Sequence, residues 1–129
     1  PAQAGVYLRP SPDLLHWSGW QLVHQDPAYG PGPWGTECPH VVYRPDHGRQ
    51  GAYYLFRTEH YATAKTHVFR SAAHDPTNFG VGHAREQYVC TIAVAAPEIV
   101  TDDDGREYIT SNHDLLGGTR LFPLRWEAL

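Results

Sequence analysis

Two stretches of the chain repeat each other at a distance of 58 residues. The run CPHVVYRPDHGRQGAYYLF begins at Cys38 and the run APEIVTDDDGREYITS begins at Ala96, so that Pro39 and Pro97 occupy the same place. Each run passes from an apolar stretch, through an acidic turn with glycine, into a second stretch with tyrosine. An internal repeat constrains the fold strongly, because each copy is expected to form one equivalent supersecondary unit.

A second pair of stretches repeats at a distance of 62 residues. VYLRPSPDLLHW begins at Val6 and VFRSAAHDPTNF begins at Val68, and Trp17 corresponds to Phe79. TRLFPLRW, which begins at Thr119, resembles the start of a further copy of the first repeat. The repeat unit is therefore about 60 residues long, slightly longer than the ~40–50 residues of known propeller repeats.

The sequence predicts an all-β fold with nine short strands. The chain of 129 residues has 12 glycines and 11 prolines, which indicate many turns, and its helix signals are weak. Short strands at regular spacing are typical of a sandwich, a barrel or a propeller. The predicted strands are Val6–Leu8, Trp20–His24, Pro39–Tyr43, Ala52–Arg57, Thr66–Arg70, Glu86–Ile92, Pro97–Thr101, Glu107–Ser111 and Thr119–Leu124.

The repeat favours a β-propeller with four-stranded antiparallel blades. In this interpretation residues 6–27 end one blade, residues 37–92 form a full blade and residues 96–126 begin the next, a little over two blades in all. A closed propeller has about four to eight blades. We therefore expect a fragment of a longer protein, or a propeller completed by another chain or by self-association. The alternative is a coincidental repeat within a β-sandwich.

The composition argues against nucleic-acid and membrane partners. The net charge is −4 and no basic cluster is present, which disfavours nucleic acid. No run is long and apolar enough to span a bilayer. Cys38 and Cys90 could form a disulfide in an oxidising compartment, but they lack the spacing of a metal site. The chain begins with Pro1, which suggests a cut, processed or incomplete N-terminus, and the compartment stays open between secreted and cytoplasmic.

Several short motifs follow one another in a fixed order. RPSPDLLHWSGW spans Arg9–Trp20, Glu37-Cys38-Pro39 reads ECP, and YYLFRT, VFRSAAHDPTNFG and APEIVTDDDGREYIT follow. In this order they resemble the five-bladed β-propeller glycoside hydrolases of families 43 and 32. The resemblance extends over roughly Val6–Trp126. It implies hydrolysis of O-glycosidic bonds, a carbohydrate as the partner and no cofactor.

The resemblance implies that Glu37 is the general acid/base, as is the glutamate of the ECP motif in family 32. A glycosidase needs two carboxyl groups at the scissile bond, one of which donates a proton to the leaving oxygen. The catalytic aspartates that these families take from other blades have no matching position here. We therefore expect the second carboxylate to come from outside this chain. The alternative for Glu37 is a solvated loop glutamate.

Further residues near Glu37 are candidates for binding the substrate. Trp34 could stack on a sugar ring or pack in the core. His40 could bind the substrate or play a structural role, and Glu98, its counterpart in the repeat, could bind hydroxyl groups or pair with an arginine. Three residues that follow the YYLF strand could reach the same pocket, namely Arg57, Glu59 and His60.

The acidic run Asp102–Gly105 invites comparison with a calcium site, but it lacks the later glutamate of an EF-hand loop. An acidic hairpin turn is the better interpretation. The nine histidines form no local pair with metal-site spacing, so we predict no metal. The sequence thus predicts a glycoside hydrolase-like domain, with a non-catalytic carbohydrate-binding or scaffold propeller module as the alternative.

Overall fold

The computed structural model describes residues 4–30, 35–112 and 117–127 of the chain. Within these ranges the extended elements are nine β-strands, and a single 3-10 turn at Pro27–Tyr29 is the only helix. The predicted all-β fold is confirmed, and the strand ends differ from the predicted ones by no more than three residues. The strands are β1 (Val6–Leu8), β2 (Gln21–His24), β3 (Glu37–Arg44), β4 (Ala52–His60), β5 (Lys65–Arg70), β6 (Tyr88–Ile92), β7 (Ile99–Thr101), β8 (Glu107–Asn112) and β9 (Thr119–Pro123).

The strands form three antiparallel sheets in chain order. The first sheet pairs β1 with β2, the second has the order β3-β4-β5-β6, and the third has the order β7-β8-β9. Neighbours in each sheet are consecutive in sequence, because short turns join antiparallel strands directly. These strand counts agree with the predicted division of the chain, whereas the arrangement of the sheets as blades of a closed propeller stays a prediction.

The sequence repeat is also a repeat of backbone conformation. Cys38 and Ala96 both have a φ of 47°, and each directly precedes the proline that marks its copy of the repeat, Pro39 or Pro97. Non-glycine residues rarely adopt positive φ. The two segments, which lead into β3 and β7, therefore share an uncommon local geometry at equivalent positions.

The second sheet buries both of its faces. One face packs against the first sheet, in a core that includes Val23, Leu55 and Phe69. The other face packs against the third sheet, in a core that includes Phe56 and Ile109. Successive residues of a strand point to opposite faces, so Leu55 and Phe56 of β4 enter different cores. The three sheets are therefore stacked face to face, with the four-stranded sheet in the middle.

An ion pair fastens the second sheet to the third. Nη2 of Arg44 lies 2.5 and 2.6 Å from the two carboxylate oxygens of Glu107. The guanidinium carbon of Arg44 lies 4.3 Å from the ring centroid of Trp126. Hydrogen bonds between charged groups are among the stronger ones in proteins. The contact links β3 to β8 outside the apolar core.

The two cysteines are free thiols. Cys38 lies in β3 and Cys90 in β6, the opposite edge strands of the second sheet. Three strand spacings separate them, about 14 Å, whereas a disulfide requires Cα atoms within ~7 Å. The disulfide that the sequence left open is therefore absent. No helix in the described part of the chain is long and apolar enough to cross a membrane.

Candidate functional site

A cavity of about 460 Å³ opens beside the start of β3. Its walls include the backbone of Gly30 and Gly35, the side chains of Glu37 and Glu59, and the turn of residues 60–62 after β4. The cavity is where the structure brings two sequence candidates for a carboxylate role together. A site with two carboxylates is the minimum that glycoside hydrolysis needs.

Glu37 is the first residue of β3 and is half-buried. It pairs with Thr58 of β4, but the pairing register shifts between Glu37 and His40. Cys38, with its φ of 47°, lies within this irregular segment. Irregularities of this kind bend a strand and redirect its side chains. The local backbone therefore explains why a glutamate at the entrance to a strand lines a cavity.

The two glycines of the cavity wall touch each other. A Cβ atom added to Gly35 would lie 2.4 Å from the carbonyl oxygen of Gly30. Gly30 itself has a φ of 136°, which favours glycine. Only a residue without a side chain allows this approach, so the glycines define the shape of the cavity next to Glu37.

Glu59 is held by two basic side chains from β5. Its Oε2 atom lies 2.8 Å from Nζ of Lys65 and 2.5 Å from Nε2 of His67. Burial alone would raise the pKa of Glu59, but the hydrogen bonds from Lys65 and His67 outweigh burial, and the pKa lies below its ordinary value. Glu59 is therefore an ionised carboxylate at neutral pH.

A chain of hydrogen bonds continues behind Glu59. Nδ1 of His67 lies 2.7 Å from Oγ1 of Thr91, which in turn lies 2.8 Å from the hydroxyl of Tyr88. Burial lowers the pKa of His67, so this imidazole is neutral at neutral pH. With its one proton on Nε2, His67 donates to Glu59 and accepts from Thr91. Each hydroxyl then donates in the direction of the carboxylate.

Arg57 lies behind the cavity wall and is fully buried. Its Nη1 atom donates to the carbonyl oxygen of Gly35, and its Nε atom donates to Nε2 of His24 at 2.9 Å. Nη2 is buried without a hydrogen-bond partner among the described residues. Burial lowers the pKa of Arg57 to about 10, which leaves it protonated at neutral pH. The structure thus places Arg57 under the loop that leads to Glu37, and not at the rim where the sequence suggested it could reach.

The remaining candidates lie elsewhere or outside the described residues. Nε2 of His40 accepts a hydrogen bond of 3.2 Å from the backbone of Ile99, so His40 joins the second sheet to the third. Glu98 is exposed, and its backbone N–H donates to the side chain of Thr110 at 2.8 Å. Neither side chain lines the cavity beside Glu37. Trp34 lies outside the described residues. His60 lines the cavity, as the sequence suggested.

The sequence analysis did not identify Lys65 and His67 as parts of the site. The signal that could have found them is the register of the hairpin between β4 and β5. In that register His67 pairs with Arg57 and Lys65 pairs with His60. A reader who had counted back from the turn could have placed both basic residues across from the segment that contains Glu59.

A larger cavity of about 750 Å³ lies between the second and third sheets. It is bordered by side chains of the apolar core, including Tyr54, Phe56 and Trp126. Its only ionisable border groups near the core are those of the sheet edges and the last described residues. Because it lacks paired carboxylates beside an irregular strand start, we assign the site to the smaller cavity.

The acidic turn at Asp102–Gly105 is a hairpin turn, as predicted. Oδ1 of Asp102 accepts hydrogen bonds from the backbone N–H groups of Asp104, at 3.0 Å, and Arg106, at 2.8 Å. This carboxylate therefore serves its own turn. Across residues 4–30, 35–112 and 117–127, no group of three or more His, Cys, Asp or Glu side chains is arranged to hold a metal ion.

No protein-family model, no curated protein and no solved structure matches this chain. The resemblance to propeller glycoside hydrolases consequently depends on the order of short motifs alone. What the site does must be argued from its own residues and their geometry.

Proposed function

We propose that this chain forms the proton-donor side of a glycoside hydrolase site, with Glu37 as the general acid/base. The observation that carries the proposal is the position of Glu37 at an irregular strand start, on a cavity that a second glutamate shares. The expected substrate is a carbohydrate cleaved at an O-glycosidic bond. The proposal agrees with the resemblance of ECP to the family 32 acid/base motif.

The stacking of the sheets supports a site completed by further blades. In a propeller the first strand of each blade lies nearest the central axis, so a ring of blades delivers side chains to one pocket. Here β3 and β7 begin consecutive sheets, and both follow a residue with a φ of 47° before proline. We infer that these strand starts face the shared axis, and that further blades come from a longer chain or from association with other chains.

The chemistry asked of Glu37 is proton transfer to the leaving oxygen. General acid catalysis of this kind contributes about 10²–10⁴-fold to the rate. The contribution depends on the leaving group, because a poor leaving group needs the proton and a good one leaves as an anion. Glu37 is half-buried at the cavity, which gives it access both to a bound sugar and to water.

The test compares two leaving groups on the same sugar in the protein in its native assembly. A panel of aryl and alkyl glycosides first identifies a sugar that the wild type hydrolyses. In Glu37→Gln, we expect kcat to fall about 10²–10⁴-fold on the alkyl glycoside and far less on the dinitrophenyl glycoside. Glu86→Gln, which changes an exposed glutamate outside the cavity, is the matched control and should keep the wild-type rates.

Two outcomes would contradict the proposal. If Glu37→Gln hydrolysed the alkyl glycoside at the wild-type rate, Glu37 would not be the acid. If the wild type bound carbohydrate in calorimetry but released no product from any glycoside in the panel, a non-catalytic binding module would be the better assignment.

A further inference from the structure

We propose that Glu59 is the second carboxylate of this site, a permanently ionised group that stabilises the positive charge developing on the sugar. This inference rests on the proposed function and changes one part of it. The sequence suggested a second carboxylate from outside the chain, whereas the cavity contains a candidate within it. The substrate class that fits is a neutral or cationic sugar.

The position of Glu59 follows from irregularities in two neighbouring strands. The register between β3 and β4 shifts next to Glu37, and the register between β4 and β5 shifts between Thr58 and His60. Both shifts occur at the same end of the second sheet, since Glu37 pairs with Thr58. Irregularities redirect side chains away from the regular alternation. Each of the two shifts therefore accompanies one glutamate of the cavity.

The contacts of Glu59 fit a carboxylate that stays ionised during turnover. Lys65 and His67 both contact Oε2, and the side chain of Glu59 is 20% exposed. The hydroxyls of Thr91 and Tyr88 extend the donor chain behind His67. A carboxylate in such a donor network is preorganised, so it loses little energy in reorientation when charge develops nearby.

The cavity has the charge that an oxocarbenium-like transition state requires. Among the described residues that line it there is no lysine or arginine, and the ionisable groups are Glu37, Glu59, His60 and Tyr61. Lys65 and His67 approach Glu59 but do not line the cavity. Electrostatic stabilisation is stronger in a partly enclosed site than in open water. We therefore expect the cavity to bind cations and to disfavour acidic sugars.

The division of roles assigns one task to each glutamate. Glu37, which has no described ion-pair partner, donates and accepts the proton. Glu59 keeps its negative charge while the bond between the sugar and the leaving oxygen breaks. Two carboxyl groups held in different environments are the usual way in which one site performs acid and anion chemistry together.

The test measures the binding of a cationic iminosugar, which mimics the charge of the transition state, beside a neutral polyol of the same shape. Calorimetry at pH 7 uses the protein in its native assembly. We expect Glu59→Gln to weaken iminosugar binding at least tenfold and to change polyol binding little, whereas the control Glu86→Gln keeps both affinities. Equal iminosugar affinities for wild type and Glu59→Gln would overturn the inference, as would failure of the wild type to prefer the iminosugar.

A second variant distinguishes charge stabilisation from a structural role. Lys65 is half-exposed and contacts Oε2 of Glu59, so Lys65→Met removes a cation without opening the core. Because Lys65 helps to lower the pKa of Glu59, the variant should raise that pKa. Iminosugar binding, which needs the ionised carboxylate, should then be lost at a higher pH on acidification. An unchanged pH profile would contradict the inference.

The inference and the proposed function fail separately. If Glu59→Gln keeps both turnover and iminosugar binding while Glu37→Gln loses turnover, Glu37 stays the acid and the second carboxylate lies elsewhere. If Glu59→Gln loses iminosugar binding but the wild type hydrolyses no glycoside, the cavity is a binding site for cationic sugars and the hydrolase proposal falls.

Discussion

The Nε atom of Arg57 donates a hydrogen bond of 2.9 Å to Nε2 of His24, and both side chains are fully buried. The contact joins β4 of the second sheet to β2 of the first. Nδ1 of His24 lies 2.8 Å from the carbonyl oxygen of Phe79, so the single proton of a neutral imidazole belongs on Nδ1. Burial lowers the pKa of His24 from 6.5 to about 4. Protonation of Nε2 would place two donors against each other.

The buried His24 predicts that the protein loses stability on mild acidification. Its pKa is lower in the folded state, so the unfolded chain binds the proton first as the pH falls from about 6.5 to 4. The contribution is fully present above pH 6.5 and is lost through this window. Between pH 7.5 and pH 5 we expect the free energy of unfolding to fall by about 2 kcal/mol from this group. Urea denaturation at the two pH values measures the change.

The groups that face His24 bear on the size of this effect. Arg57 and His67 disfavour protonation of His24, whereas Asp26 favours it. His40 and His67 also have lowered pKa values and act in the same direction. The variant His24→Gln should therefore be less stable at pH 7.5 but show a smaller loss on going to pH 5. Equal pH dependence in the wild type and in His24→Gln would show that His24 is not the titrating group.

The contact between Gly30 and Gly35 predicts a specific effect of one methyl group. In Gly35→Ala the new Cβ would lie 2.4 Å from the carbonyl oxygen of Gly30, so the backbone must move. Overpacking of this kind costs about 1–3 kcal/mol. The displaced carbonyl of Gly35 would also lose its hydrogen bond from the buried Arg57. Thermal and urea unfolding measure the loss of stability, and turnover measures the effect on Glu37.

Gly19 provides the matched control for this substitution. A Cβ added to Gly19 meets nothing within 4 Å, and neither Gly19 nor Gly35 has a positive φ. Gly19→Ala should therefore be neutral, or stabilising by about 0.4–1 kcal/mol, because alanine restricts the unfolded chain. If the two alanine variants had the same stability, the close approach of Gly30 and Gly35 would not exist in solution.

The sequence predicted the strands well because turns and repeats are local signals. Glycine and proline clusters mark the chain reversals, and the repeat of 58 residues locates equivalent strand starts at Pro39 and Pro97. Glu37 was also identifiable, since a carboxylate beside an apolar run is unusual and requires an explanation. Local pattern thus sufficed for the elements and for the first glutamate of the cavity.

The contacts around the cavity could not be predicted in the same way, because they depend on the pairing between strands. The pairing of Glu59 with Lys65 and His67 requires the register shift of the hairpin between β4 and β5. The burial of Arg57 depends on acceptors from two distant places, the carbonyl of Gly35 and the ring of His24. A cation that reads as a pocket residue in sequence becomes a buried one when such acceptors surround it.

The thiol of Cys38 reports the charge of Glu37 without any assumption about activity. Cys38 is exposed, and burial of its thiol followed by the negative charge of Glu37 raises its pKa. Glu37→Gln removes that charge, so the Cys38 pKa should fall and alkylation by iodoacetamide at pH 8 should become about twofold to fivefold faster at low salt. High salt should shrink the difference, because it screens exposed charges. Cys90, whose pKa is raised by burial alone, is the internal control, and mass spectrometry of the two peptides separates their rates. An unchanged Cys38 rate in Glu37→Gln would mean that the Glu37 carboxylate does not lie next to the thiol, and the irregular start of β3 would then differ from the one described.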